Sequence, residues 1–200
     1  RDRLGTIWVA TSKEMVLYNS DNHNFTPTGY NCIYSSLCIE GGILFGSENI
    51  IFRYNYKSRT MDSIYICQKK NLDISEYRIQ KMVQLKKNKI LIGTKEQGIY
   101  LYDCCTQQLT RFTSDIHHLL ISLYVVSDKY VYASFYGNGI YCYNQDGKIV
   151  KSYTSKTSSL NNNYVLDIIE HKGQLWIATD GGGINILDMN SDQIKVMCHV

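Results

Sequence analysis

An all-β fold made of repeated four-stranded units is what this sequence predicts, on three observations. The first is internal repetition: "GQLWIATDGGGINILD" (173–188) returns as "DKYVYASFYGNGIYCYN" ending at Asn144, "NKILIGTKEQGIYLYD" ending at Asp103, "GGILFGSENIIFRYN" ending at Asn55 and "GTIWVATSKEMVLYN" ending at Asn19. The second is the period, in which Trp8, Leu44, Leu91, Tyr132 and Trp176 hold one place; repeats of roughly 40–50 residues are the size of propeller blades or paired-helix units. The third decides between those two. Each copy is built of short runs rich in β-branched and aromatic residues, separated by Gly, Asn, Asp and Lys, which is strand chemistry with turn punctuation.

Each element follows in chain order. In 1–28, "RDRLG" is already the turn before "TIWVAT", so this copy has its second, third and fourth strands but no first. Residues 29–70 supply "SLCIE", "ILFGS", "IIFRYN" and "DSIYIC"; residues 71–114 supply "RIQKMVQL", "ILIGT", "GIYLYD" and "QLTRFT". Residues 115–156 contain "VYASF", "GIYCY" and "KIVKSYT", and 157–200 contain "YVLDIIE", "QLWIAT", "GINILD" and "QIKVMCHV". Four antiparallel strands joined by short connections make a meander, which is one blade of a β-propeller. The expected architecture is therefore a propeller segment of four complete blades and a partial one, an excerpt of a larger propeller. The first strand of each blade is expected innermost and the fourth at the outer edge.

The aromatic content follows the same frame. Tyr18, Tyr54, Tyr102 and Tyr143 each precede the Asn or Asp that closes the third strand, with Leu187 in that place in the last copy. Tyr100 and Tyr141 lie two residues earlier, on the same face of the strand. Packing between neighbouring blades accounts for them.

With 44% hydrophobic and 20% charged residues and a single Pro, the composition is that of a globular domain. No run of apolar residues is long enough for a membrane span and no leader is evident, so any membrane contact is expected only through parts of a parent protein outside this segment. The net charge of +3 and the Lys pairs 69–70 and 86–87 read as solvated turns, and no nucleic-acid contact is expected. Of the seven Cys, six lie in or beside expected strands, where a thiol behaves as a small hydrophobe; buried thiols are expected, and Cys104–Cys105 reads as a turn. Neither His117–His118 nor Cys198–His199 has further ligands at zinc-like spacing, so no metal and no cofactor is expected.

The repeated phrase resembles the two-component regulator propeller repeat, whose blades read G-x-[LI]-W-[IV]-[GA]-T followed by GG[LI] and [YF]-[DN]. The match rests on Gly5, Trp8, Ala10 and Thr11; Gly46 and Ser47; Gly93, Thr94 and Gly98; Gly139; and Gly173, Trp176, Ala178, Thr179, Gly182 and Gly183. Copy four departs, with Phe135 where Thr stands. Copies one and two lack the Gly pair and have second-to-third-strand loops one residue shorter. The resemblance implies a non-enzymatic periplasmic sensor region of a hybrid two-component histidine kinase. In that family the usual cue is a polysaccharide breakdown product, the parent protein is a membrane-anchored homodimer, and ligand binding controls genes for glycan use.

Function is then expected in what differs between copies. The second-to-third-strand loops and the loops that lead into each first strand share one end of the blades. The candidates there are Lys13, Glu14, Glu48, Asn49, Lys95, Glu96, Gln97, Tyr136, Asn138 and Asp180, with Asn161, Asn162 and Asn163. Carboxylates and amides suit sugar hydroxyls, and a Tyr ring suits an apolar sugar face, so an oligosaccharide is the expected ligand. No residue is assigned a catalytic role. Two alternatives stand: an enzyme using paired carboxylates among Glu14, Glu48, Glu96 and Asp180, and a scaffold for partner proteins.

Overall fold

The structure, a computed structural model, describes residues 1–67, 77–113, 118–127 and 129–197. The Lys69–Lys70 pair, His117 and the Cys198–His199 pair lie outside the described residues. Nineteen strands among the described residues form five antiparallel sheets, each a meander in chain order. The all-β class and the four-stranded propeller sheets are as the sequence predicts.

The chain divides into two compact units, Arg1–Met82 and Val83–Val200. In the first, β1 (Ile7–Ala10), β2 (Met15–Asn19) and β3 (Asn24–Pro27) make a three-stranded sheet, the copy that lacks a first run. Next come β4 (Ser35–Ile39), β5 (Gly42–Gly46), β6 (Ile50–Asn55) and β7 (Met61–Tyr65). Strand β8 (Ile79–Lys86) spans the division and belongs to a sheet with β9 (Lys89–Thr94), β10 (Ile99–Asp103) and β11 (Gln108–Arg111). The second unit continues with β12 (Leu120–Val126), β13 (Tyr130–Phe135), β14 (Gly139–Tyr143) and β15 (Ile149–Tyr153). It ends with β16 (Val165–His171), β17 (Gln174–Thr179), β18 (Gly183–Asp188) and β19 (Gln193–Met197).

Strand pairing shows which repeated residues stand in one column. Ala10 pairs with Met15 and Gly46 with Ile51, whereas Gly93 pairs with Ile99, Ser134 with Ile140 and Ala178 with Ile184. The first two copies thus close the second-to-third-strand loop with one residue fewer, as their sequences indicate.

Sheets pack face to face, and the period-2 alternation of each strand supplies two unlike faces. In the second unit, Tyr132, Ile140, Cys142 and Tyr153 of one sheet bury themselves against Val165, Ile168, Leu175, Ile177 and Leu187 of the next. The same contact recurs one sheet earlier, where Leu91, Ile99 and Phe112 meet Leu120, Val131, Ala133 and Tyr143. Within the first unit Trp8 and Met15 pack with Ile43, Phe45 and Tyr54, the Trp8 and Tyr54 ring centroids lying 5.1 Å apart. Tyr54 and Tyr143, each before the closing Asn, are therefore inter-sheet packing residues, whereas Tyr18 lies against Phe25 of its own sheet; burial pushes the Tyr143 hydroxyl pKa up. The first strands of the last two sheets, β12 and β16, lie against each other, and the fourth strands β11, β15 and β19 are mostly exposed, in keeping with the expected inner and outer strands.

The small residue of the motif has a steric cause. A Cβ on Gly46 would sit 2.5 Å from Ile79 Cγ2 and 2.5 Å from Ser35 Oγ, so no side chain fits where β8 begins. The Thr beside it is a cap: Thr11, Thr94 and Thr179 each donate through Oγ1 to a carbonyl at the entry to the third strand, Glu14 O, Gly98 O and Gly183 O, at 2.7, 2.7 and 2.9 Å. Where Phe135 replaces Thr, that side chain is buried and meets Tyr141 with ring centroids 5.6 Å apart.

The recurring Asn or Asp at the end of the third strand closes the next turn. Its Oδ1 accepts backbone N–H groups two to four residues on in every copy: Asp21 on Asn19, Lys57 and Ser58 on Asn55, Cys105 and Thr106 on Asp103, Asp146 and Lys148 on Asn144, and Asn190 and Ser191 on Asp188. These are Asx turns. Cys104–Cys105 lies in one of them, as expected. The expectation of buried thiols fails more broadly: of the six described cysteines only Cys142 is buried, while Cys32 and Cys105 are exposed. Both lie in connecting segments, where no neighbouring sheet covers them.

The two aspartates give this turn a pH signature. Backbone N–H groups of Thr106 and Cys105 hold the Asp103 carboxyl below the usual range, and those of Ser191 and Asn190 do the same for Asp188. A carboxyl with a lowered folded pKa adds stability above its unfolded pKa of about 3.9, and that stability is lost as pH falls through the folded value. Replacing both by Asn, the residue used at positions 19, 55 and 144, should leave Tm near neutral pH almost unchanged. It should also lessen the loss of Tm on acidification below about pH 4, as thermal melts across a pH series would show.

Candidate functional site

The loop end of the second unit is built by backbone hydrogen bonds that tie each second-to-third-strand loop to a segment leading into a first strand. Leu120 N–H donates to Lys95 O at 2.9 Å and Tyr136 N–H to Leu119 O at 2.9 Å. Gly139 N–H donates to Asn163 O at 3.0 Å, and Asp180 N–H to Tyr164 O at 2.8 Å. This ladder places Lys95, Tyr136, Asn138, Asn161–Asn163 and Asp180 along one edge of the unit.

The three asparagines spend their side chains on holding that edge. Asn161 Oδ1 accepts from Asn185 Nδ2 at 2.8 Å and lies 3.3 Å from Thr179 Oγ1, and its Nδ2 donates to Gly182 O. Its backbone N–H donates in turn to Asn185 Oδ1 at 3.1 Å, so the fully buried Asn185 is satisfied through Asn161. Gly182 is small for this reason: a Cβ there would lie 2.5 Å from Asn161 Oδ1. Asn162 donates from Nδ2 to Asp180 O at 2.6 Å and accepts from Tyr164 N–H at 2.8 Å. Asn163 Oδ1 accepts from Ser155 N–H at 2.7 Å.

What this framework presents outward is aromatic. Tyr136 and Tyr164 are 59% and 43% exposed, with ring centroids 4.9 Å apart and planes at 75°. Gly137, at φ 68°, lies over the Tyr164 ring and keeps the space above it free of a side chain. Asn138 Nδ2 holds Tyr136 O at 2.9 Å, and the Asp180 side chain is exposed beside the loop. Tyr164 joins the candidate residues here; the sequence places it in a strand as the first residue of "YVLDIIE", but β16 begins one residue later, at Val165. Lys95 and Glu96 form a half-exposed ion pair at 3.2 Å, and Gln97 N–H donates to Thr94 Oγ1 at 3.1 Å.

The first unit has its own loop-end cluster. Glu48 Oε1 accepts from Tyr34 OH at 3.0 Å and lies 3.5 Å from Arg78 Nη2, while the Arg78 guanidinium sits 4.3 Å from the Tyr34 ring centroid. Desolvation, then the hydrogen bond to Glu48, push the Tyr34 hydroxyl pKa up. Glu14 Oε2 accepts from Gly29 N–H at 2.9 Å and Lys13 is exposed. Asn49 is buried, donating to Cys67 O at 2.7 Å and accepting from Cys67 N–H at 2.8 Å, which makes it a structural clamp.

Residues 159–181 match the family described as two component regulator propeller. The chain carries a two-component regulator propeller repeat. The matched stretch runs from the asparagine loop through β16 and β17 to the loop at Asp180; Asn161 and Thr179 lie within it, and their partners Gly182 and Asn185 follow it. No curated protein matches the chain.

Among solved structures, the extracellular domain described as that of hybrid two component system BT3049 from B. thetaiotaomicron is 17% identical, with a TM-score of 0.69 over 84% of this chain and 25% of its own. The extracellular domain of system BT4673 from the same organism is 15% identical, with a TM-score of 0.66 over 98% of this chain and 36% of its own. A chain of the mitotic checkpoint complex is 13% identical, with a TM-score of 0.72 over 96% of this chain and 60% of its own. At such identities the likeness is one of fold. The chain spans 25% and 36% of these two extracellular domains.

The repeat's Asn161 gives a direct test. Replacing it with Ala takes the better acceptor from the buried Asn185 Nδ2, leaving it Thr179 Oγ1 at 3.4 Å, while the backbone bond to Asn185 Oδ1 stays; this should cost about 1–3 kcal/mol. Chemical denaturation measures this, and Asn162→Ala, whose partners lie nearer solvent, should cost less.

Proposed function

We propose that this chain is part of the periplasmic sensor region of a hybrid two-component histidine kinase. Its propeller sheets bind, without catalysis, an oligosaccharide released from a polysaccharide. The observation that carries the ligand class is the Tyr136–Tyr164 pair: two exposed rings at 75°, held by a satisfied backbone ladder, with the Asp180 carboxylate beside them. Exposed rings on a rigid frame offer apolar faces to sugar C–H groups at little entropic cost, and neighbouring carboxylates and amides take the hydroxyls. The repeat at 159–181 and the likeness to extracellular domains of hybrid systems support the sensor context and the extracytoplasmic location.

The non-enzymatic reading is supported by how the candidate carboxylates are used. Glu14 holds Gly29 N–H, Glu48 is taken by Tyr34 and Arg78, and Glu96 by Lys95. Signalling follows from differential affinity: the oligosaccharide favours one arrangement of a homodimeric parent protein over the other, and the kinase output that controls glycan-use genes shifts accordingly.

Calorimetric titration of the parent's extracytoplasmic region against defined oligosaccharides tests the site. Tyr136→Ala and Tyr164→Ala should each weaken a saturable interaction about tenfold, the equivalent of 1.4 kcal/mol. Affinity unchanged in both variants would place the ligand elsewhere.

A further inference from the structure

The loop end of the second unit carries its polar groups unevenly. Its amides are spent on the frame: Asn138 on Tyr136 O, Asn161 on Asn185 and Gly182, Asn162 on Asp180 O and Tyr164 N–H, and Asn163 on Ser155 N–H. Lys95 and Glu96 neutralise each other at 3.2 Å. The other ionisable groups of this edge among the described residues are His118, in the segment before β12, Lys156, in the turn after β15, and Asp180. Of these, Asp180 is the one whose own backbone is bonded to a residue of the aromatic pair: its N–H donates to Tyr164 O at 2.8 Å, and its carbonyl accepts from Asn162 Nδ2 at 2.6 Å. Its place beside Tyr164 is thereby fixed, while its carboxylate is exposed, with no hydrogen bond or ion pair among the described residues.

The rings add to that carboxylate. Tyr136 and Tyr164 are exposed with their planes at 75°, so they turn π-faces in two directions about one corner. Beside Tyr164, Gly137 leaves open the space that a Cβ would fill at 3.5–3.7 Å from Cε1, Cζ and the hydroxyl oxygen. The face of an aromatic ring is the negative end of its quadrupole and attracts a cation placed within about 6 Å of the ring centre. A carboxylate at the same corner contributes a formal charge of the same sign. Together they draw an ammonium group, whereas a uronate would meet Asp180 as a like charge, with no cation bonded to the pair to offset the repulsion.

We propose that the corner formed by Tyr136, Tyr164 and Asp180 selects an amino sugar: the unit it holds is a hexosamine whose amine is free and protonated. The ammonium group lies against the rings and pairs with the Asp180 carboxylate. An N-acetylated hexosamine, whose amide carries no charge, gains neither contact, and a uronate is repelled. This inference deepens the oligosaccharide reading given above and rests on it.

The test compares a short linear oligomer of glucosamine with its fully N-acetylated counterpart, by calorimetric titration of the full-length protein at neutral pH. The glucosamine oligomer should bind about tenfold more tightly, the combined worth of one exposed cation–π contact and one surface ion pair. Asp180→Asn should narrow that difference severalfold with Tm unchanged, because the Asp180 side chain holds nothing in the fold. On the unaltered protein, raised ionic strength should narrow it too. Equal affinities, a preference untouched by Asp180→Asn or by salt, no binding of the glucosamine oligomer, or tighter binding of an oligogalacturonate would each overturn the proposal. The broader reading is judged separately: it survives where a neutral oligosaccharide binds and loses affinity in Tyr136→Ala, and fails where no oligosaccharide, neutral or charged, does so.

Discussion

Everything else in the molecule depends on the packing of one sheet face upon the next. A single four-stranded meander cannot bury its own apolar face, which leaves water only when a neighbouring sheet lies over it. The residues that give each sheet a core are those that touch its neighbour: Tyr132, Ile140 and Cys142 on one side, Leu175, Ile177 and Leu187 on the other. Burying one such aliphatic side chain is worth about 1.5–3 kcal/mol, against about 1 kcal/mol for a typical turn hydrogen bond. The packing therefore dominates, and the turns serve it by holding the register that keeps every large side chain on its proper face.

That division explains why the repeated residues are poor guides to function. Thr at the end of the second strand caps the next loop in three copies, Asn or Asp at the end of the third strand closes a turn in all five, and Gly46 is small because Ile79 and Ser35 leave no room for a Cβ. Freedom to vary remains in the loops between the second and third strands and in the segments that lead into each first strand. There the copies diverge: an aromatic pair at Tyr136 and Tyr164, and a Glu48–Tyr34–Arg78 cluster in the first unit.

Most of the architecture was legible in the sequence because it is encoded by local rules applied repeatedly. Short β-branched runs, a fixed turn residue and a period of blade size left few alternatives, and the shorter loops of the first two copies could be counted directly. Side-chain commitments were not legible. Asn161, Asn162 and Asn163 read as ligand-seeking amides, yet their partners Asn185, Asp180 and Ser155 lie 8–24 residues away, at separations that only the folded sheets define. Tyr164 was hidden by a one-residue uncertainty in where a strand begins. Cys32 and Cys105 misled because a thiol beside a strand is buried only when another sheet lies over it.

The claim that inter-sheet packing holds the structure together is tested most directly by a double-mutant cycle across one interface. Ile140→Ala and Ile177→Ala, separately and together, would be compared by denaturant unfolding, since both side chains lie in the cluster shared by the last two sheets. The account predicts that each single change costs about 2–5 kcal/mol and that the pair departs from additivity by at least about 0.5 kcal/mol. Additive effects, or single changes costing less than about 1 kcal/mol, would show that the sheets do not depend on one another and would contradict it.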